Sequence, residues 1–266
     1  MSGADATRPP PSPRAGARHI ATLALTLAAT AASRAAPAQT DEIQVYDGQL
    51  AAPGIFNLTW HNNYTPDGLT ANHSLNGVAE WAFGVAPGFE AGLYLPLYSY
   101  AADGSLSFNG FKLRALCAVP EAASRRFFYG INFEFSYNAH HWDEHRFTSE
   151  MRPIVGWHLG RFDLVFNPIL DNSFQGLDQL DFAPATRVAF NISRTWSVAA
   201  EEYDDFGPLH AFLPTARQTH QVFAVLDYNG QPWTIEGGIG FGLTPATDNL
   251  TLKLVASRDL NKREGR

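Results

Sequence analysis

The chain has one cysteine, few charges and no long apolar run after its first 38 residues. With Cys117 alone among 266 residues, an internal disulfide framework is excluded. Its setting, FKLRALCAV, suits a small apolar side chain in a strand. No CxxC pair, no GxxxxGK[ST] loop and no GxSxG elbow occurs, which removes the usual signatures of thiol redox, nucleotide and α/β-hydrolase chemistry. Charged residues make up only 17%. Beyond residue 38, no stretch of 18 or more residues is free of both charges and helix breakers, so that part holds no transmembrane-helix candidate.

The first 38 residues are of another kind. Arg8, Arg14 and Arg18 precede the weakly apolar run Ile20–Ala32, and Ala36-Pro37-Ala38 fits an A-x-A cleavage site. That order of zones predicts a secretory signal peptide over 1–38. The segment carries four Arg and one Asp, leaving 15 basic and 25 acidic residues and a net charge of −10 after it. Such a balance argues against nucleic acid as a partner, since that needs a basic footprint. Export without a helical anchor leaves the periplasm, the medium or an outer membrane as destinations.

Aromatics reach 13%, with 22 Gly and 17 Pro, a composition of strands and turns. Period-2 alternation recurs twelve times, over 54–64, 77–86, 89–100, 108–119, 127–138, 148–159, 162–171, 181–191, 195–204, 218–228, 232–242 and 250–260. Each run has ten to twelve residues, which matches the roughly 9–11 a tilted strand needs to cross a bilayer. Strands of soluble sheets are about half as long, roughly 5–6 residues. Connections alternate between short (Pro87-Gly88, Gly160-Arg161, around Ser193, Asn229-Gly230-Gln231) and long, with PEAASRR at 120–126 the exception. Short turns at one rim and longer loops at the other are the habit of outer-membrane barrels. The predicted fold is therefore all-β, a closed antiparallel transmembrane barrel of about 12 strands. A soluble exported sandwich or lipocalin-like barrel is the alternative.

Three features point the apolar face toward lipid. Trp157, Trp196 and Trp233 sit on it within three residues of short turns, as an interfacial belt would. The opposite face is rich in Gly, Ala and charge, and the even strand count puts both ends of the barrel at one rim. In MRPIVGWHLGRFDLVFNPIL (151–170) the pattern reads as a hairpin turning at Gly160-Arg161. Pro153 and Pro168 lie inside its strands without an evident reason. The expected organisation is a signal peptide (1–38), a periplasmic N-terminal segment (39–53), the barrel (54–260) and a polar tail (261–266).

The runs DEIQVYDGQLAAPGIFNLTWHNNYTPDG, HSLNGVAEWAFGV, FEAGLYLPLYS, RPIVGWHLGRFDLVFNPILD and DFAPATRVAFN resemble a family of proteobacterial outer-membrane proteins. That family is similar to the barrels associated with meta-pathway phenol degradation, to which transport is ascribed. The resemblance covers about 41–260 and implies fold, location and a small, hydrophobic or aromatic solute. It implies no catalytic or ligand residues. Partners expected on this reading are outer-membrane lipid, a small solute and the barrel-assembly machinery during insertion. Many such barrels end in an aromatic residue that assists assembly, whereas this sequence ends RDLNKREGR.

Alternation predicts a charged lumen made of Glu80, Glu90, Lys112, Arg114, Glu134, Glu150, Arg152, Asp163, Arg187, Glu201, Glu236 and Lys253. Such a set serves either as a network of ion pairs filling the barrel or as a selectivity-setting pore lining. Twelve strands make a narrower barrel than the 16–18 of open porins. A constricted conduit, or a plug from 39–53, follows. No cofactor is expected. The loop HHWDEH (140–145) holds metal-ligand types, but a polar extracellular loop explains it as well. Beyond residue 38, the other histidines His61, His73, His158, His210 and His220 lack ligand spacing. The functional expectation is a passive conduit or binding protein for a small solute. A non-conducting surface barrel is the alternative, and a hydrolase using residues such as Ser149, His220 and Asp171 is third.

Overall fold

The computed structural model describes residues 42–69 and 72–261. Residues 1–38, expected to be a signal peptide, residues 39–41 and the tail beyond 261 lie outside the described residues. Fourteen strands form one antiparallel sheet: β1 (Phe56–Asp67), β2 (Ser74–Ala86), β3 (Phe89–Tyr100), β4 (Leu106–Ala118), β5 (Phe127–Asn138), β6 (Phe147–Leu159), β7 (Phe162–Asn167), β8 (Leu170–Asn172), β9 (Asp181–Phe182), β10 (Ala185–Asn191), β11 (Trp196–Asp205), β12 (Thr219–Asn229), β13 (Thr234–Gly242) and β14 (Leu250–Asp259). β7 continues into β8 and β9 into β10, so the fourteen strands make twelve spans. β1 pairs with β14 and β5 with β6, which closes the sheet on itself.

Closure is what the surrounding solvent demands. The exterior carries a continuous apolar belt, including Leu113, Phe133, Phe135, Val188, Val198, Leu226, Ile239 and Leu254, all exposed. An apolar surface encircling a protein is not found facing water, where exposed patches seldom exceed a few hundred Å². In hydrocarbon, backbone N–H and C=O groups have no outside partner, and a sheet without edges satisfies them all. The fold is a transmembrane β-barrel. Trp157, Trp196 and Trp233 are exposed on the outside near the short turns at 160–161, 192–195 and 230–233. The irregular long turn, 119–126, lies at that same rim and contains one 3-10 turn, Ala122–Ser124.

Several boundaries and one face differ from expectation. β1 extends to Asp67, so the loop to β2 has six residues rather than twelve. Strict alternation along 89–100 puts Phe89, Ala91, Leu93, Leu95 and Leu97 on the lipid face, but Leu97 is fully buried inside with Val78 and Tyr94. The register shift between Val78↔Leu97 and Glu80↔Tyr94 places Ala79 opposite Leu95 and Pro96 together. That one-residue bulge inverts the faces of β3 beyond it, because side chains alternate with period two. Leu95 and Pro96 both face outward, while Ser99 turns inward to donate to Asn76 Oδ1.

The prolines of the hairpin now have an account. Pro168 is in the break between β7 and β8, not inside a strand as expected. The register is unchanged on either side, with Val155↔Phe166 before the break and Met151↔Leu170 after it, so Pro153 stands opposite Pro168. The pairs Ala185↔Asn167 and Leu170↔Phe182 likewise put Pro184 opposite Pro168. Three neighbouring spans thus carry proline in one row. Each lacks an N–H, so the missing ladder bonds coincide and few carbonyls elsewhere lose a donor.

Inside, aromatic rings fill space left by glycine. A Cβ on Gly156 would lie 2.1 Å from Phe128 Cζ, and one on Gly240 would lie 2.3 Å from Phe223 Cζ. Both rings are fully buried and cover the bare strand opposite them.

Candidate functional site: a filled, charged lumen

Residues 42–55 form no strand, yet Glu42, Ile43, Val45, Tyr46 and Gly48 are buried. Their partners are wall residues that face inward. Val45 and Tyr46 pack with Leu116, Phe128, Ile154, Val165, Ile169 and Ala185, and Ile43 packs with Phe223 and Val225. The segment expected either to be periplasmic or to plug the barrel is therefore inside it. Its lack of alternation has a cause: it has no two-faced sheet position to fill.

Polar bonds fix it in place. Tyr46 N–H donates to Asn167 Oδ1 at 2.8 Å, and Asn167 Nδ2 donates back to the Tyr46 carbonyl at 3.0 Å. The Asn167 side chain thereby serves as a strand partner for one residue of the segment. Arg152 Nη1 donates to the Gln44 carbonyl at 2.8 Å, and its guanidinium lies 4.5 Å from the Tyr46 ring centroid. Ala51 N–H donates to Glu90 Oε2 at 2.5 Å. At the short-turn rim, Gly54 N–H donates to the Gly84 carbonyl at 2.8 Å.

Around the segment the interior charges form two networks. On the β2–β6 side, Arg114 bridges Glu80 at 2.7 Å and also bonds Glu90. Lys112 faces Glu134 at 3.6 Å, and Arg152 Nε donates to Glu150 at 2.6 Å. The hydroxyls of Tyr46 and Tyr94 lie 2.5 Å apart, and Tyr46 donates to Glu42 Oε1 at 2.6 Å. On the β10–β14 side, Arg187 donates to Glu201, Asp227 and Glu236. Lys253 bonds Glu201 and Glu236, and Tyr203 donates to Glu201 Oε2 at 2.7 Å. Across both networks, eight carboxylates (Glu42, Glu80, Glu90, Glu134, Glu150, Glu201, Asp227, Glu236) face five cations (Lys112, Arg114, Arg152, Arg187, Lys253).

Of the twelve sequence-derived lumen residues, eleven belong to these networks. Asp163 stands apart at the short-turn rim, where it accepts from Asn191 Nδ2 at 2.7 Å and pairs with His158 at 2.6 Å. Glu42, Tyr46 and Asp227 are not among the residues expected from sequence to matter, Tyr94 and Asn167 are expected on the inner face without a role, and His61 is set aside for want of ligand spacing. His61 and Asp227 were open to the same alternation argument, but Glu42 and Tyr46 were not, because their place depends on the segment turning inward.

One group brings different ligand types together. A carboxylate oxygen of Glu42, a ring nitrogen of His61 and a carboxylate oxygen of Glu80 all lie within 4.8 Å of one another. In the HHWDEH loop, by contrast, His141 is turned to Asn109 Oδ1 at 3.2 Å while His145 faces Asp143 at 3.5 Å. Ser149, His220 and Asp171 do not form a constellation. His220 is bonded to Asp204 at 2.5 Å and Gln218 at 3.0 Å, while Ser149 pairs with Asn172 between β6 and β8.

No family model matches the chain, and no curated protein matches it. Among solved structures it is similar to the translocator domain of autotransporter NalP from Neisseria meningitidis, at 10% identity, over 92% of this chain and 97% of that one, with a TM-score of 0.46. It is also similar to LpxR from Salmonella typhimurium, at 5% identity, over 77% of this chain and 100% of that one, TM-score 0.43. The outer membrane channel DcaP of Acinetobacter baumannii is a third, at 10% identity, over 81% and 100%, TM-score 0.36. At these scores nothing about residues or activity passes from them to this chain.

Proposed function

We propose that this chain is a bacterial outer-membrane barrel serving as a narrow conduit for small polar solutes, closed in the described state by its own residues 42–55. The observation that carries this reading is the segment inside the lumen. About eight strands make a barrel that side chains alone can fill, and twelve enclose more space than that. Here the extra space is occupied by a short stretch of chain anchored by apolar packing of Ile43, Val45 and Tyr46 and by polar bonds to the wall. Withdrawal of that stretch would leave a passage lined by both charged networks. Their excess of carboxylates favours cations over anions. The signal-like N-terminus supports the location. The resemblance to phenol-degradation barrels supports transport, but the polar lining fits a small polar or cationic solute better than a hydrocarbon.

The test is conductance of the full chain, refolded in detergent, in planar bilayers, against a variant lacking 42–53. The full chain is expected to stay closed for most of the record. The deletion is expected to show discrete steps with cation preference. Silence from a folded deletion variant refutes the conduit. It would favour a non-conducting barrel, a reading supported by the pairing of every cation in the two networks described above with a carboxylate.

A further inference from the structure

We infer that Glu42, His61 and Glu80 form a binding site for one divalent transition-metal ion of the zinc class, which staples the lumenal segment to the barrel wall. The three residues come from three places: Glu42 from the segment, His61 from β1 and Glu80 from β2. Thr59 pairs with Glu80 and His61 with Val78, so His61 and Glu80 are diagonal neighbours on the interior face. All three are buried, His61 and Glu42 completely.

The atoms left over point to a ligand. Glu42 Oε2 and His61 Nδ1 are buried and have no hydrogen-bond partner among the described residues. An ion held through His61 Nε2 gives Glu42 Oε2 the partner it lacks, while His61 Nδ1 faces away from that ion and keeps the ring proton. His61 Nε2 lies 3.4 Å from Glu80 Oε2, long for a hydrogen bond. It is close to the edge, about 3.4 Å, of a tetrahedron with zinc–ligand bonds of about 2.0–2.1 Å.

Each carboxylate also has one oxygen held from outside the trio. Tyr46 donates to Glu42 Oε1 at 2.6 Å, and Arg114 donates to Glu80 Oε1 at 2.7 Å. That leaves the second oxygen of each available. Outer donors of this kind orient metal ligands in known sites. One imidazole with two carboxylates suits zinc and its neighbours better than calcium, which takes six to eight oxygens. Three protein ligands leave a fourth position for water. A dication also offsets part of the carboxylate excess in the lumen.

The experiment is a Zn²⁺ titration of the full chain, refolded in detergent and stripped with chelator, read by calorimetry and by X-ray absorption of the bound metal. The expected result is one ion per chain with a single imidazole and oxygen ligands. Glu42→Gln and His61→Ala should each abolish it, and Tyr46→Phe should weaken it about tenfold. Replacing His140, His141 and His145 together with alanine should leave it intact. Heat-modifiable migration on gels establishes that each variant is folded. The absorption spectrum of the unaltered chain decides the matter if a variant fails to fold. No binding by the full chain, unchanged binding in a folded His61→Ala, or a shell with two or three imidazoles overturns the inference. None of these readings uses current, so a barrel silent in bilayers refutes the conduit and leaves the metal site standing.

Discussion

Asn167→Ala isolates the grip of the wall on the lumenal segment. Asn167 is fully buried on β7 and makes two hydrogen bonds to the backbone of Tyr46, one in each direction. Alanine removes both and leaves a buried N–H and a buried C=O on Tyr46. Two net hydrogen bonds are worth about 2 kcal/mol, and the cost rises to about 4 kcal/mol if the orphaned groups stay dry. At about 1.4 kcal/mol per tenfold, the smaller figure multiplies the ratio of withdrawn to seated segment about thirtyfold. The wall itself changes little, because Asn167 still pairs through its backbone with Ala185. Bilayer records of Asn167→Ala should show openings about thirty times more often than the parent, with the same step size as the 42–53 deletion. If the deletion conducts and Asn167→Ala matches the parent, the segment is not held where the argument says it is.

Other outcomes follow from the same geometry. Arg187→Met strips a shared partner from Glu201, Asp227 and Glu236. It should destabilise the barrel by about 3–5 kcal/mol, read as a lower temperature of the heat-modifiable gel shift. An unshifted transition would mean those carboxylates are hydrated. Gly156→Ala forces a methyl against the Phe128 ring and should cost about 1–3 kcal/mol in the same assay, unless that ring moves freely. Cysteines placed at Trp157, Leu164 and Ile235 should react with a lipid-restricted probe, and those at Glu134, Arg152 and Glu236 should not. The reverse pattern would turn the barrel inside out.

Much of the wall was legible because lipid and lumen impose opposite chemistry on alternate residues. β5 shows this best: Phe127, Tyr129, Phe133 and Phe135 are exposed, while Phe128, Asn132 and Glu134 are buried. Alternation fails where the chain adds a residue. The bulge at Leu95-Pro96 gives no local signal apart from the proline, and beyond it every face in β3 is reversed. The lumenal segment was legible only as one of two places for 39–53, periplasm or plug, and none of its contacts could be read. DEIQVYDGQLAAPG has no periodicity, and its partners lie as far as 210 residues away, as with Ile43 and Lys253. The cluster of Glu42, His61 and Glu80 was hidden for the same reason: it exists only once the segment has turned inward. The proline row needed the register of three spans before Pro153, Pro168 and Pro184 could be seen as one feature.

The seam between β1 and β14 has a consequence for how the molecule is made. Asn57 and Asp259, 202 residues apart, face each other across it and are joined at 3.0 Å. Until that last strand arrives, the growing sheet has two raw margins, each with a row of unpaired amides. Hydrocarbon does not tolerate such margins. A chain stopped before Leu250 therefore has no stable resting place in a bilayer, however complete its other spans. The seam joins residues up to 202 apart in sequence, a contact whose loop-closure cost is among the largest in the fold. The lumenal segment runs directly into β1, so it stands beside that final seam as it closes.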